Sequence, residues 1–248
     1  MTNANGNAAF EQYIRYLETD IYDNAKPSTM IRLGIDGVSQ KAEQEGAPFE
    51  KLLEEINAVW MLARLRYEQF LPVRGGDTLS VEITPRSIEG SIYFREAFYY
   101  NKAGSLAAKC TMASMAVEKD TRHIFRASEI DRMFEQPPRE IESLGLRRLR
   151  VREDLPDTAK AFVRYSDCDA NGHLAGTAYA DFACECAGYW DSPKLCTELQ
   201  IDYSSECPAG STIELASKHS EDGFLLRGTR QDGTLSFTAG GRFSCIVN

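Results

Sequence analysis

Val73-Arg74-Gly75-Gly76-Asp77-Thr78-Leu79-Ser80-Val81 returns, altered but legible, as Cys207-Pro208-Ala209-Gly210-Ser211-Thr212-Ile213-Glu214-Leu215. Each stretch is a turn with glycine, then Asp or Ser, then Thr, running into the alternating apolar residues of a strand. A second echo pairs Gly104-Ser105-Leu106-Ala107-Ala108 with Gly233-Thr234-Leu235-Ser236-Phe237. The two echoes have the same separation to within a small insertion, and the elements between them come in the same order. The chain therefore reads as two copies of one α+β unit.

Working outward from Val73, the first copy predicts a strand over Tyr13–Ile21 and then a loop with Pro27 and Ser28. A helix over Thr29–Glu45 follows, with Met30, Ile31, Leu33, Ile35, Val38 and Ala42 on its apolar face. Gly34 and Gly37 allow that face to pack closely. A short helix is expected over Phe49–Ile56. Strands follow over Val59–Phe70, Thr78–Ser87, Ser91–Asn101 and Ser105–Val117, separated by turn residues. Strands this long beside one central helix predict a curved antiparallel sheet wrapped around it. The second copy repeats the grammar: a strand over Lys160–Arg164, a loop, a helix from about Ala175 to Tyr189, and a strand over Leu195–Ser205. The units are expected at 1–135 and 157–248, with a linker at 136–156. That linker carries Gln136-Pro137-Pro138 and the most basic stretch of the chain, Arg147, Arg148, Arg150 and Arg152.

Composition narrows the class. The 248 residues are 43% apolar and 26% charged, as in a soluble globular protein. No apolar run approaches the ~20 residues of a membrane helix. The start, Met1–Phe10, lacks the basic and apolar segments of a signal peptide and reads as a tail. Seven cysteines, without Cys-x-x-Cys pairs, predict reduced thiols in a cytoplasmic protein and no metal site. A net charge of −9 disfavours nonspecific nucleic-acid binding, since phosphates are repelled at long range.

Asp169, Asn171 and His173 alternate along a glycine-containing segment within Arg164–Glu185, just before the expected helix. A carboxylate, an amide and an imidazole at a helix N-terminus suit the polarisation of a carbonyl and the handling of a proton. Either Asp169 or Asn171 could equally cap the helix, and the two roles are compatible because the first helical N–H groups can hold an oxyanion. The matching region of the first copy, Tyr22–Pro27, has no histidine in any register, which points to a single site in the second unit. Cys207, with a histidine in the same half, has a nucleophile reading. Val73 at the matching position favours the plainer one, a small buried filler. Glu206, opposite Pro72, would by itself read as an exposed strand-end carboxylate.

Ser166-Asp167-Cys168-Asp169-Ala170-Asn171-Gly172-His173, followed by Tyr203-Ser204-Ser205-Glu206-Cys207, resembles the acyl-ACP thioesterases. The resemblance extends into the first half through Asn57–Leu65 and Gly76-Asp77-Thr78. It implies a double hot-dog fold and hydrolysis of the thioester of fatty acyl groups on acyl carrier protein, releasing the fatty acid and ending chain elongation. It places the catalytic residues on Asp169, Asn171, His173 and Glu206, implies no cofactor, and makes Cys207 the match of a cysteine once proposed as nucleophile. Where the family has paired asparagines after the histidine, this chain has Ala175-Gly176, beside the acyl tunnel. The resemblance also gives the arginine run a role, docking of the acidic carrier and its phosphopantetheine. Hydrolysis of acyl-CoA, a non-catalytic acyl-thioester sensor, and a hydratase or dehydratase remain open alternatives. A homodimer is allowed for.

Overall fold

The computed structural model describes residues 8–135, 139–140, 146–188 and 193–245. The first tail residues, Gln136-Pro137-Pro138 of the linker, Leu144-Gly145, and the expected helix end at Tyr189 lie outside the described residues.

The first unit runs β1 (Ala8–Tyr13), α1 (Pro27–Gln44), α2 (Phe49–Ile56), β2 (Ala58–Gln69), β3 (Thr78–Ile83), β4 (Ser87–Glu89), β5 (Ile92–Tyr100), β6 (Leu106–Glu118) and α3 (Ala127–Asp131). A two-residue strand β7 (Arg139–Glu140) pairs in parallel with β4, so this unit reaches into the stretch expected as linker. The second unit runs β8 (Asp157–Phe162), α4 (Ala178–Cys186), β9 (Lys194–Tyr203), β10 (Thr212–His219), β11 (Gly223–Arg230) and β12 (Leu235–Cys245).

One sheet holds both units, in the order β1-β3-β5-β6-β2-β9-β12-β11-β10-β8. Its left and right halves mirror each other in chain order. The seam is β2 against β9, antiparallel from Arg64↔Asp202 to Glu68↔Glu198. This is the double hot-dog architecture, with α1 and α4 lying against one face. The two helices meet, and Ser28 Oγ donates to Asp181 Oδ1 at 2.6 Å.

Residue chemistry explains the close packing of α1. Pro27 sits at the first helical position, where a missing N–H costs nothing. Leu79, Val81 and Ile83 alternate inward from β3 to meet the helix. A Cβ at Gly37 would stand 2.8 Å from Ile83 Cδ1, and one at Gly34 would stand 2.5 Å from the Tyr99 hydroxyl. That hydroxyl donates to Met30 O at 2.6 Å, so a buried polar group is satisfied by the helix it supports.

Both echoed turns are superimposable in their bonding. Asn101 and Arg230 N–H donate to Ser105 O and Thr234 O, at 3.0 and 2.9 Å. Gly104 and Gly233 occupy the left-handed position between them, at φ 76° and 83°. Likewise Ala25 N–H donates to Val73 O, and Leu174 N–H to Cys207 O, both at 2.8 Å.

Several expected boundaries move. The strand placed at Tyr13–Ile21 lies earlier, at Ala8–Tyr13, where it pairs with β3, and it absorbs the end of the supposed tail. The chain leaves it because Arg15 N–H donates to the Glu18 carboxylate at 2.9 Å, closing a 3-10 turn over Tyr16–Glu18. The strand expected over Thr78–Ser87 breaks after Ile83, since Pro85 has no N–H to give the ladder. The strand expected at Lys160–Arg164 is Asp157–Phe162. Helix α4 starts at Ala178 rather than Ala175. Helix α3 had no apolar period long enough to announce it.

Candidate active site

The corner from Arg164 to Leu174 is shaped by its own polar side chains. Arg164 N–H donates to Asp167 Oδ2 at 2.9 Å, closing a 3-10 turn over Tyr165–Asp167. Asp169 then accepts Asn171 N–H on Oδ1 at 2.9 Å, an Asx turn, and its N–H donates to His173 O at 2.9 Å. Gly172 takes φ 77°, the left-handed position that the turn needs. His173 is thereby lifted into a bridge with Pro208.

The same corner exists in the first unit, and more fully than the sequence suggested. Asp20 accepts Tyr22 N–H at 2.8 Å and donates its own N–H to Asn24 O at 2.8 Å. Asp23 takes φ 63°, and Asn24 bridges Arg74. Arg15, Asp20, Tyr22, Asp23 and Asn24 thus stand where Arg164, Asp169, Asn171, Gly172 and His173 stand. The expectation that the first copy lacks the whole polar set is corrected: it has the aspartate, because the turn itself requires one. It lacks the histidine, and Pro72 holds the position equivalent to Glu206.

Asn171, His173 and Glu206 line one cavity of about 370 Å³, together with Phe49, Trp60 and Arg122 from the first unit. His173 Nε2 lies 3.7 Å from Glu206 Oε2. Asp169 is not among the lining residues. Its Oδ2 lies 3.4 Å from Asn171 Nδ2, so it orients the amide from behind.

Arg122 is the member that sequence reasoning missed. Its Nη2 donates to Glu206 Oε1 at 2.7 Å and Oε2 at 2.9 Å, across 84 residues of chain. It is one of three non-glycine residues at positive φ among the described residues, at 60°, in the turn after β6. Such a backbone costs energy for a side chain of this size and persists where surrounding contacts demand it. No local pattern in Lys119-Asp120-Thr121-Arg122 marks it, because its partner is brought by sheet closure. Arg230 Nη1 supports the same residue from below, donating to Glu206 O at 3.1 Å.

Cys207 is fully buried, with Sγ 2.9 Å from Ser236 Oγ, beneath the site rather than in its cavity. Burial pushes the neighbouring Tyr179 hydroxyl well up from its usual range. Tyr203 Oη donates to Gly176 O at 2.7 Å and holds the start of the α4 segment against β9. The delayed helix alters which N–H groups can face the cavity. Those of Ala175, Ala178 and Ala180 are already given to Asp167, Ala175 and Thr177 carbonyls.

Arg147, Arg148, Arg150 and Arg152 are all exposed, on an extended segment pinned along β9. Gln200 Nε2 donates to Arg147 O at 2.8 Å, and Leu149 N–H to Asp202 Oδ2 at 2.9 Å. Arg148 Nη2 reaches Ser204 Oγ at 3.4 Å, which sets a cation two residues from Glu206. Among the described residues no three His, Cys, Asp or Glu side chains converge as metal ligands would, and no helix is long and apolar enough to cross a membrane.

Residues 153–236 match the family model of the acyl-ACP thioesterase C-terminal domain. No curated protein matches the chain in sequence. Among solved structures, an acyl-ACP thioesterase from Bacteroides thetaiotaomicron superposes with a TM-score of 0.79 at 16% identity, over 96% of this chain and 98% of that one. The 12:0-ACP thioesterase from Umbellularia californica gives 0.79 at 16%, over 96% and 97%. A MaoC-like dehydratase from Phytophthora capsici gives 0.55 at 13%, over 76% and 72%. At such identities these likenesses establish a shared fold. The second unit thus matches the C-terminal domain of the acyl-ACP thioesterases, and the whole length shares the double-unit fold of these solved structures.

Proposed function

We propose that this chain hydrolyses the thioester of a fatty acyl group carried on acyl carrier protein, releasing the free fatty acid. The observation that carries the reading is the single cavity in which Asn171, His173 and Glu206 meet, with His173 Nε2 3.7 Å from Glu206 Oε2. Water held by Glu206 attacks the thioester carbonyl as the carboxylate takes its proton. The oxygen that becomes negative is held by the second N–H of the Asn171 amide. As the C–S bond breaks, His173 delivers a proton to the departing thiolate, so the products are the fatty acid and the free thiol of the carrier arm.

Glu206 rather than Asp169 is the base in this reading. The Asp169 carboxylate lies outside the cavity lining and accepts Asn171 N–H at 2.9 Å, so it acts as a positioning residue. Arg122 positions Glu206 in turn. Cys207 has no part in the reaction, being buried under Ser236.

The substrate arm arrives over the arginine segment. An acidic carrier would be drawn to Arg147, Arg148, Arg150 and Arg152 on a chain whose net charge is −9, and their placement beside Ser204 leads the arm toward Glu206. The free thiols suit a cytoplasmic setting. Steady-state kinetics on acyl carrier protein and acyl-CoA substrates test both parts. Arg147→Ala/Arg148→Ala, or added salt, should raise KM about ten-fold for the carrier-bound substrate and leave a small acyl thioester unchanged. Equal effects on all substrates would remove the docking role, and absence of turnover on every thioester would remove the reaction.

A further inference from the structure

The candidate catalytic cavity shares two wall residues with a neighbouring one. Phe49 and Trp60 also line a second cavity of about 490 Å³ between α1 and the sheet of the first unit. Its walls are apolar along Ile35, Val38, Leu62 and Met112. Arg86 and Arg95 stand among them, which an apolar ligand would not call for.

These two arginines belong to a buried ionic cluster at the C-terminal turn of α1. Arg86 Nη1 donates to Glu45 Oε2 at 3.0 Å, and Arg95 Nη2 donates to the same oxygen. Arg95 Nη1 also gives to Thr84 O at 3.0 Å, and Lys41 Nζ lies 3.9 Å from Glu45 Oε1. Side-chain exposure is 2% for Arg86, 3% for Glu45 and 7% for Arg95. The Arg86 guanidinium lies 3.4 Å over the Phe134 ring, and its other edge faces Asp131 at 3.8 Å. Burial works against the Arg86 charge, and Glu45 beside it works to keep it.

With so many of its donors engaged, such a cluster is a wall rather than a ligand site. To pass it, an apolar chain would have to part Arg86 from Glu45 and leave buried charges uncompensated. That cost is several times what one more methylene gains on burial. A wall of apolar side chains would instead yield gradually, by rotamer changes.

We propose that the Arg86–Glu45–Arg95 cluster is the end-stop of the acyl compartment and sets a sharp upper limit on the length of the straight acyl chain accepted. The proposal rests on the thioesterase reading. Tying α1 to the sheet is a role the cluster performs at the same time.

The test is a chain-length profile of kcat/KM with acyl carrier protein substrates, beside calorimetric binding of free fatty acids of the same lengths. The native protein should lose at least ten-fold over two methylenes beyond its best substrate. Lys41→Met/Glu45→Leu/Arg86→Met/Arg95→Met removes the whole cluster together, since leaving one charge behind would destabilise the fold. It should extend the limit by two or more methylenes while shorter chains turn over as before. Ser114→Leu narrows the cavity ahead of the cluster, which stays intact, and should lower the limit. If the fourfold variant does not fold, an unmoved limit in Ser114→Leu still overturns the proposal, because the acyl chain then does not enter this cavity. Unmoved limits in turnover and in binding would overturn the proposal while the thioesterase reading stands. A native protein that binds fatty acids with the sharp limit but hydrolyses nothing would uphold the end-stop and sink that reading.

Discussion

Two corners of this molecule have one backbone and different chemistry. Arg15–Ala25 and Arg164–Leu174 both open with a carboxylate-closed 3-10 turn, both hang an Asx turn on an aspartate, and both place a left-handed residue before a bridge to the facing turn. In the first corner Arg74 donates to Asn24 Oδ1 at 2.8 Å and to Tyr22 O at 2.8 Å, and the place opposite is taken by Pro72. In the second corner His173 faces Glu206 across a cavity. The comparison separates what builds the corner from what acts in it. Asp20 and Asp169 are shared and therefore belong to the scaffold. His173, Glu206 and Asn171 are not shared, and to them we assign the proposed chemistry.

The largest effect should come from making the second corner like the first. His173→Asn installs the residue of Asn24 and should lower kcat by about 10²–10⁴-fold, with stability changed by no more than ~0.5 kcal/mol. Turnover and a thermal melt read both quantities, and near-native turnover would dissolve the distinction between the corners. A smaller loss should follow Arg122→Gln, which takes from Glu206 an ion-pair partner that the first corner never needed. The pair is about one-third exposed on each side, so a loss of about five-fold in kcat/KM, equivalent to ~1 kcal/mol, is expected. Arg122→Lys should restore most of it, and no loss in either variant would show that Glu206 holds its place without help. The subtlest test compares the shared aspartates. Asp20→Ala and Asp169→Ala should each lower stability by about 1 kcal/mol, since each removes the acceptor of the same Asx turn. Only Asp169→Ala should also reduce kcat, through the Asn171 amide it orients. Equal loss of activity from both would mean that the corner in the first unit matters to catalysis as well.

Much of this architecture was readable because turn chemistry is local. Gly104 and Gly233, Val73 and Cys207, and the apolar faces of α1 and β3 each express their structure within a few residues. The repeat was therefore visible, and its register was right where Glu206 matches Pro72. The edges were less legible. Arg15 and Arg164 form a matching pair before each corner, and both fall within expected strands because their turns depend on a carboxylate three residues later. The shared aspartate of the first corner, Asp20, lies just outside Tyr22–Pro27, the stretch that matches the site by sequence, for the same reason. Helix α4 begins three residues later than expected because Ala175-Gly176-Thr177 first closes a turn of its own, with Ala178 N–H on Ala175 O.

By itself the sequence determined two like units, the helices and turns that frame them, and the residues that set the second unit apart. Those are consequences of nearest neighbours and of side-chain period, which a chain carries wherever it goes. Only the tertiary structure decided that Arg122 of one unit holds Glu206 of the other, that Asp169 stands behind the cavity rather than in it, and that Arg86 and Arg95, in the wall of a second cavity, meet Glu45. Charges find partners across a sheet only after the strands between them have paired. Their meaning is settled by distance in space, which the order of residues does not contain.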